Sequence, residues 1–380
     1  MKRISVLFLA IAFGWAQESL RSALGKNEEK LHLQGELRIG WIAATNTKST
    51  FAAGGHLHAA TPFWHGLRAS LSIYSVNDFG WGPSSANEDF FGSDAKGYTF
   101  VSEAFVEYDR GIEVKIGRQN IETPHADSDD IRMVPNYFEA VTAKAILRGT
   151  TLQAGYITRM AGWENGANPA KFVRLGKVLG LGQKIDGMGY VGVQGSVAGY
   201  AWQIWGYNLS DVAHICYIEA AKELEWGDAS EHVTLQLDVA RGAGRKYMGY
   251  LHSKTAGIIS QTTYKEWTWT LAANKEYGKS AAFGSFGGGP FFTSMEDLTI
   301  DTLASKEAKS YVLGTEYGFA KGSIGAMAGR FFDGNYDAKE YDLYANVTLP
   351  YGFVGDFVFA KVVAPQDRYI ARCIIKRSFQ

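Results

Sequence analysis

The chain has 380 residues, with 38 Lys and Arg against 39 Asp and Glu, a formal net charge of −1 at pH 7. So even a balance gives no electrostatic footing for nucleic-acid binding, and two cysteines are too few to staple a disulfide scaffold. Forty-four glycines and 52 aromatic residues (22 Phe, 20 Tyr, 10 Trp) beside only eight prolines suit a chain of many strands.

The first stretch, MKRISVLFLAIAFGWAQES, predicts a secretory signal over residues 1–16. Lys2-Arg3 is the charged start, Ile4 to Phe13 the apolar run and Gly14-Trp15-Ala16 the cleavage site. That apolar run is shorter than the ~20 residues of a spanning helix. Cleavage after Ala16 leaves a mature chain, 17–380, with 36 basic and 39 acidic residues, a net −3. No later segment is long and apolar enough for a helical span, so a helical membrane protein is excluded. Residues 17–30 read as a polar lead-in too small for a plug domain.

From residue 31 onward, alternation with period two replaces helical periodicity. In Leu31–Ala44, Leu33, Leu37, Ile39 and Trp41 share one face, while Gln34, Glu36 and Arg38 share the other. In Glu231–Arg241, Val233, Leu235, Leu237 and Val239 alternate with His232, Thr234, Gln236 and Asp238. Such segments have one wet face and one apolar face. Eighteen strands are predicted, at 31–44, 51–63, 67–76, 98–108, 112–118, 141–148, 150–158, 188–198, 200–208, 213–225, 231–241, 255–264, 267–276, 308–320, 323–332, 340–349, 352–362 and 368–379. Short links follow the even strands. The long ones (77–97, 119–140, 159–187, 242–254, 277–307) all follow odd strands. An even count, strand lengths near ~9–11 residues and this parity of links predict an all-β transmembrane antiparallel up-and-down β-barrel in the bacterial outer membrane. Both termini then lie on the short-turn, periplasmic side. Trp41, Phe63, Tyr108, Trp202, Trp267, Tyr317 and Tyr341 near strand ends are candidates for the interfacial aromatic girdles.

The link GRQNIETPHADSDDIRMVPNYFEA, from Gly117 to Ala140, breaks the pattern. Pro124 and Pro135 cannot continue a ladder, and Asp127, Asp129 and Asp130 resist pleated burial. A loop of this length without secondary structure is usually functional. It is expected to fold into the bore and, with Arg118 and Arg132, to decide what passes.

Strand alternation assigns further charges to the lumen. Arg368, Arg372 and Lys376 share one parity on the last strand, which barrel closure sets beside Arg38 on the first; Arg68 extends this basic file. Glu103, Glu107 and Glu113 are expected across the bore, and Asp342 and Asp356 near the basic strands. Opposed charges in a narrow pore create a transverse field that selects and orients ions. The plainer alternative is that Arg118 and Arg132 pair with the loop acids only to hold the loop. His56 and His58 share a face, but no third ligand accompanies them, so no metal is assigned. Gly284 to Gly289 reads as a flexible loop, without the strand-then-helix context of a phosphate cradle. Cys216 and Cys373 are expected as small apolar groups within strands. No Gly-x-Ser-x-Gly elbow or catalytic dyad is found, and neither cofactor nor catalytic residue is assigned.

The stretch GRQNIETPHADSDDIRMVPNYFEAVTA (Gly117 to Ala143) resembles the third-loop signature of the OprD-like family of bacterial outer-membrane porins. Shared features are the G-R-Q start, the T-P step, an acidic pair followed by Arg, and P-N-x-F-E-A. The resemblance implies an eighteen-stranded channel with an inward-folded third loop, passing small solutes such as amino acids, peptides or carboxylates along a row of basic side chains. The implied surroundings are outer-membrane lipid and lipopolysaccharide, with monomer and trimer both compatible. A barrel enzyme and a structural or adhesive barrel with a blocked lumen are the alternatives.

Overall fold

The computed structural model describes residues 31–47, 49–79, 87–93 and 95–380. The expected signal, 1–16, and the lead-in, 17–30, lie outside the described residues. Eighteen long strands follow one another: β1 (His32–Ala44), β2 (Thr50–Ala60), β3 (Leu67–Asn77), β4 (Tyr98–Asp109), β5 (Ile112–Gln119), β6 (Tyr137–Leu147), β7 (Thr150–Ala161), β8 (Met188–Val197), β9 (Tyr200–Leu209), β10 (Ala213–Trp226), β11 (Ala229–Gly242), β12 (His252–Tyr264), β13 (Trp267–Glu276), β14 (Lys309–Phe319), β15 (Gly322–Phe332), β16 (Asp337–Thr348), β17 (Val354–Val363) and β18 (Arg368–Phe379). Each pairs antiparallel with the next, and β18 pairs with β1 from Gly35↔Phe379 to Ala44↔Ile370, so the sheet closes. Closure removes the unpaired edge that neither water nor lipid could satisfy safely.

The predicted strands are all present, and two boundary shifts have a common cause. β2 stops at Ala60 rather than 63, ahead of Pro62, and β6 starts at Tyr137 rather than 141, as soon as Pro135 is passed. A proline has no N–H for the ladder. The short links are tight hairpins: Arg148-Gly149 between β6 and β7 and Ala198-Gly199 between β8 and β9 each place both residues at positive φ. Such turns match the right-handed strand twist.

Alternation sorts the two faces. On β13, Trp267, Trp269 and Leu271 are exposed while Ala272, Asn274 and Glu276 are buried; on β16, Tyr341 and Leu343 are exposed while Glu340 and Asp342 are buried. The exposed face is the apolar one, which suits a lipid surrounding rather than water. The opposite face of the strands packs against the long links. Phe90, Phe91, Met133 and Val134 lie with Tyr74, Tyr98 and Tyr137. Phe283 and Phe286 lie with Trp205, Tyr207 and Tyr217. Phe291, Leu298, Ile300 and Leu303 lie with Val312, Phe331 and Val362. Each fully buried side chain of this size contributes about 1.5–3 kcal/mol. The two cysteines, Cys216 on β10 and Cys373 on β18, are free.

Candidate functional site

Segment 120–136, between β5 and β6, is not structureless. Glu122–Thr123 pairs with Ala126–Asp127 as a minimal ladder. It then meets the long link between β13 and β14: Asp127 N–H donates to the Phe286 carbonyl at 2.9 Å, and Phe286 N–H to that of His125 at 3.1 Å. Gly287, at φ +83°, lies where any Cβ would collide with the carbonyl oxygen of Asp127. The glycine run 284–289 is therefore a packing surface rather than the flexible loop expected. Its missing side chains let two backbones touch.

His125 pins this junction to the wall. Its Nε2 lies 2.6 Å from Asp238 Oδ2 on β11 and its Nδ1 3.1 Å from the Gly284 carbonyl. Both side chains are buried, at 1% and 0% exposure. The Tyr207 ring stands edge-on, its centroid 5.2 Å from that of the imidazole.

At the far end of the segment, strand cations converge on loop acids. Arg38 on β1 donates to both carboxylate oxygens of Asp130, at 2.5 and 2.7 Å, to the Arg132 carbonyl at 2.9 Å, and to Glu36 at 2.5 Å. Lys376 on β18, directly opposite Arg38 in the register, reaches the Asp130 carbonyl at 3.1 Å and its carboxylate at 3.3 Å. Arg372 donates to both oxygens of Glu296, at 3.3 and 2.8 Å, and to the Ile131 carbonyl. Arg132 approaches Glu296 at 3.0 Å and Asp89 at 3.4 Å, with the Trp163 ring centred 4.6 Å from its guanidinium carbon. Arg368 holds Asp297 at 2.5 Å. Arg38, Arg132, Arg372 and Glu296 are almost fully buried (3%, 4%, 5% and 8% exposed), whereas Asp130 keeps 45% of its exposure.

Sequence reasoning missed Glu296 and Asp297. The N–H groups of Asp297 and Leu298 each donate at 2.8 Å to Glu340 on β16, and that of Glu296 donates to Asp342 at 3.2 Å, so the two strand acids fix the turn that carries the loop acids. The available signal was an acidic pair inside the longest predicted link, 277–307.

Other expected site residues sit elsewhere. Arg118 shares its parity on β5 with exposed Ile112 and Ile116, and bonds Glu139 and the Val101 carbonyl, both at 3.1 Å, not the acids of its own loop. Nor does Arg132 hold those acids in the alternative anchoring role; its partners come from other links. Arg68 and Glu107 do not face each other across a bore: they are register neighbours on β3 and β4, bonded at 2.5 Å. Glu113 lies beside the short turn with Lys115 at 3.0 Å, at the opposite end of β5 from the loop. One carboxylate oxygen each from Glu107, Asp109 and Glu113 lie within 4.8 Å of one another, with Glu107 already engaged by Arg68. Glu103 accepts from Ser72 at 2.5 Å and lies 3.3 Å from His58. Asp356 stands 3.9 Å from Lys376.

The segment's acids, together with Glu164 of the β7–β8 link, which accepts from Asn136 at 2.6 Å, divide by their neighbours. Burial opposes the charge on Asp130, but Arg38 and Lys376 together hold its carboxyl below the ordinary value. Burial, joined by nearby carboxylates, pushes Asp129 up to about 6, Glu122 to about 7 and Glu164 to about 8. Raised carboxyl values favour the docked segment while those groups are protonated, and that contribution is lost as pH rises through them. Protection of the 120–136 amides, corrected for intrinsic exchange, is accordingly expected to fall between pH 5 and pH 9; flat protection across that range would refute the coupling.

Three comparisons bear on this geometry. The family model described as outer membrane porin, OprD family, matches residues 107–328. No curated protein matches the chain. Among solved structures, OpdK of Pseudomonas aeruginosa with vanillate aligns at TM-score 0.80 and 18% identity, covering 93% of this chain and 100% of that one. OccAB3 of Acinetobacter baumannii aligns at 0.77 and 11% over 92% and 99%. A BenF-like porin of Pseudomonas fluorescens Pf-5 aligns at 0.79 and 14% over 92% and 98%.

Proposed function

Because the chain belongs to the OprD family of outer membrane porins, we propose that it passes small hydrophilic solutes, carboxylates foremost, through a lumen constricted by segments 120–136 and 277–308 folded inward. The observation that carries this reading is the bonding of Asp130 and Glu296, from two different links, to Arg38, Arg372 and Lys376 on β1 and β18. Segment 120–136 leaves the wall at β5 and meets cations on β1 and β18; a path across the bore makes that reach. Arg368, Arg372 and Lys376 recur every fourth residue, about 13 Å apart along the strand, a ladder that a carboxylate can descend by exchange with Asp297, Glu296 and Asp130. The vanillate of the OpdK structure is an aromatic carboxylate, the chemistry such a ladder accepts. Lys376 and Arg368 are the rungs with the wettest surroundings, since Asp130 and Asp297 beside them remain partly exposed. The described chain ends, Leu31 and Gln380, lie on the short-turn side, which would face the periplasm.

Reconstituted protein is expected to give stepwise ohmic conductance in a planar bilayer. Lys376→Glu with Arg368→Glu should cut carboxylate flux into liposomes by roughly tenfold, the lower end of what a focused field contributes. Unchanged flux and ion preference would remove the ladder from the mechanism. The burial of Arg38, Arg132, Arg372 and Glu296 favours one competing reading, a lumen closed by its own links; absence of conductance would favour it.

A further inference from the structure

The outward face of β12–β17 carries two features unrelated to the lumen. The first is a trough. On β15 the outward positions between Ile324 and Arg330 hold only alanines, Ala326 and Ala328, while three of their four register neighbours are large, Leu313 on β14 and Tyr341 and Leu343 on β16, the fourth being Thr315. Two adjoining grooves result, with volumes of about 650 and about 780 Å³, sharing Leu313, Ala328 and Tyr341. Six residue steps from Ile324 to Arg330 span about 20 Å along the strand. At a tilt near 40° that is about 15 Å along the membrane normal, half of a hydrocarbon core of about 30 Å.

The second feature is a belt of cations at the long-link end of the same face. Lys254, Lys275, Lys309, Arg330, Lys339 and Lys361 all share the parity of the exposed apolar residues, and Lys275↔Lys309 and Arg330↔Lys339 are direct register partners. Like charges set opposite each other on one face are destabilising unless something between them carries the opposite sign. Asp337 answers Arg330 at 2.7 Å, and Asp367 answers Lys361 at 3.3 Å. Lys254, Lys275, Lys309 and Lys339 have no ion pair among the described residues, and Lys275 and Lys309 lie over the rings of Tyr277 and Phe332 instead. Uncompensated positive charge thus caps an apolar channel one leaflet deep.

We propose that this face is a binding site for a phosphorylated, multi-acyl lipid of the leaflet on the long-link side, with one acyl chain in the trough over Ala326 and Ala328 and its phosphates on the lysine belt. The site is separate from the lumen, so its failure and that of the transport reading can be told apart by measuring conductance in the same preparations. The test is native mass spectrometry of the purified barrel with added diphosphoryl lipid A. Lys309→Gln with Lys339→Gln removes charge, and Ala326→Phe with Ala328→Trp fills the trough without touching the inner face. Each pair is expected to lower retained lipid by about tenfold or more, with conductance unchanged, and the dephosphorylated lipid should be retained as weakly as by the lysine variant. Equal retention by the filled-trough variant would overturn the proposal, as would equal retention of the dephosphorylated lipid. A dimer of this chain that disappears on filling the trough would instead assign the face to a second copy.

Discussion

Glu296→Ala is expected to loosen the junction of the two long links more than any single change to a strand cation. Glu296 is the shared partner of Arg132 and Arg372, and all three side chains are nearly buried. Removing one member of a buried ionic group typically costs about 3–5 kcal/mol, because the charges left behind stay desolvated. Here the guanidiniums of Arg132 and Arg372 would be left without the carboxylate they share. The expected readout is a rise of two to three decades in exchange of the 128–136 and 294–303 amides, at about 1.4 kcal/mol per decade, with increased current noise in single channels. Glu296→Gln, which keeps acceptor geometry but not charge, should fall between the alanine variant and the parent. Protection equal to the parent in the alanine variant would show that the apolar contacts of Phe291, Leu298 and Ile300 hold the link unaided.

His125→Leu is the second. Asp238 has no exposure, His125 bonds its Oδ2, and its Oδ1 has no hydrogen-bond partner. Taking the imidazole away leaves a buried carboxylate without a donor, again about 3–5 kcal/mol. The double variant His125→Leu with Asp238→Leu removes both polar partners and should recover most of that loss, since replacing a pair by apolar groups is often near neutral. The cycle therefore gives a large coupling term, read from exchange at the amides of Asp127 and Phe286, which close the ladder between the links. Additive losses would mean that His125 acts by volume alone, through its contacts with Tyr207 and Phe283.

What could be read from the chain before its fold was known follows from how far each signal reaches. Alternation along Leu31–Ala44 or Glu231–Arg241 is a property of neighbours two apart, and it placed eighteen strands with boundary errors of up to four residues, the largest next to Pro135. That β18 lies beside β1 followed from closure alone; that Lys376 stands opposite Arg38 is set by the register. Orientation across the bore did not follow in the same way. Arg68 and Glu107 share a lumenal parity, but which strand neighbours which decides that they neutralise each other on one wall. Arg118 was grouped with its loop, although its parity on β5 sets it on the face of Ile112 and Ile116. Glu296 and Asp297 were legible only as an acidic pair in the longest link, since nothing local distinguishes a link that packs back onto the strands from one that does not. Their roles depend on Glu340 and Asp342, over forty residues away.

One consequence of the register between β1 and β18 concerns the order of assembly. Arg38 and Lys376 face each other across the seam where the first strand zips to the last, and like charges in that relation push the two edges apart. Asp130 accepts from both. Glu36 and Asp356 each answer one of the two cations, but among the described residues Asp130 alone accepts from both, so a barrel zipped before segment 120–136 is in place lacks the one counter-charge shared across the join.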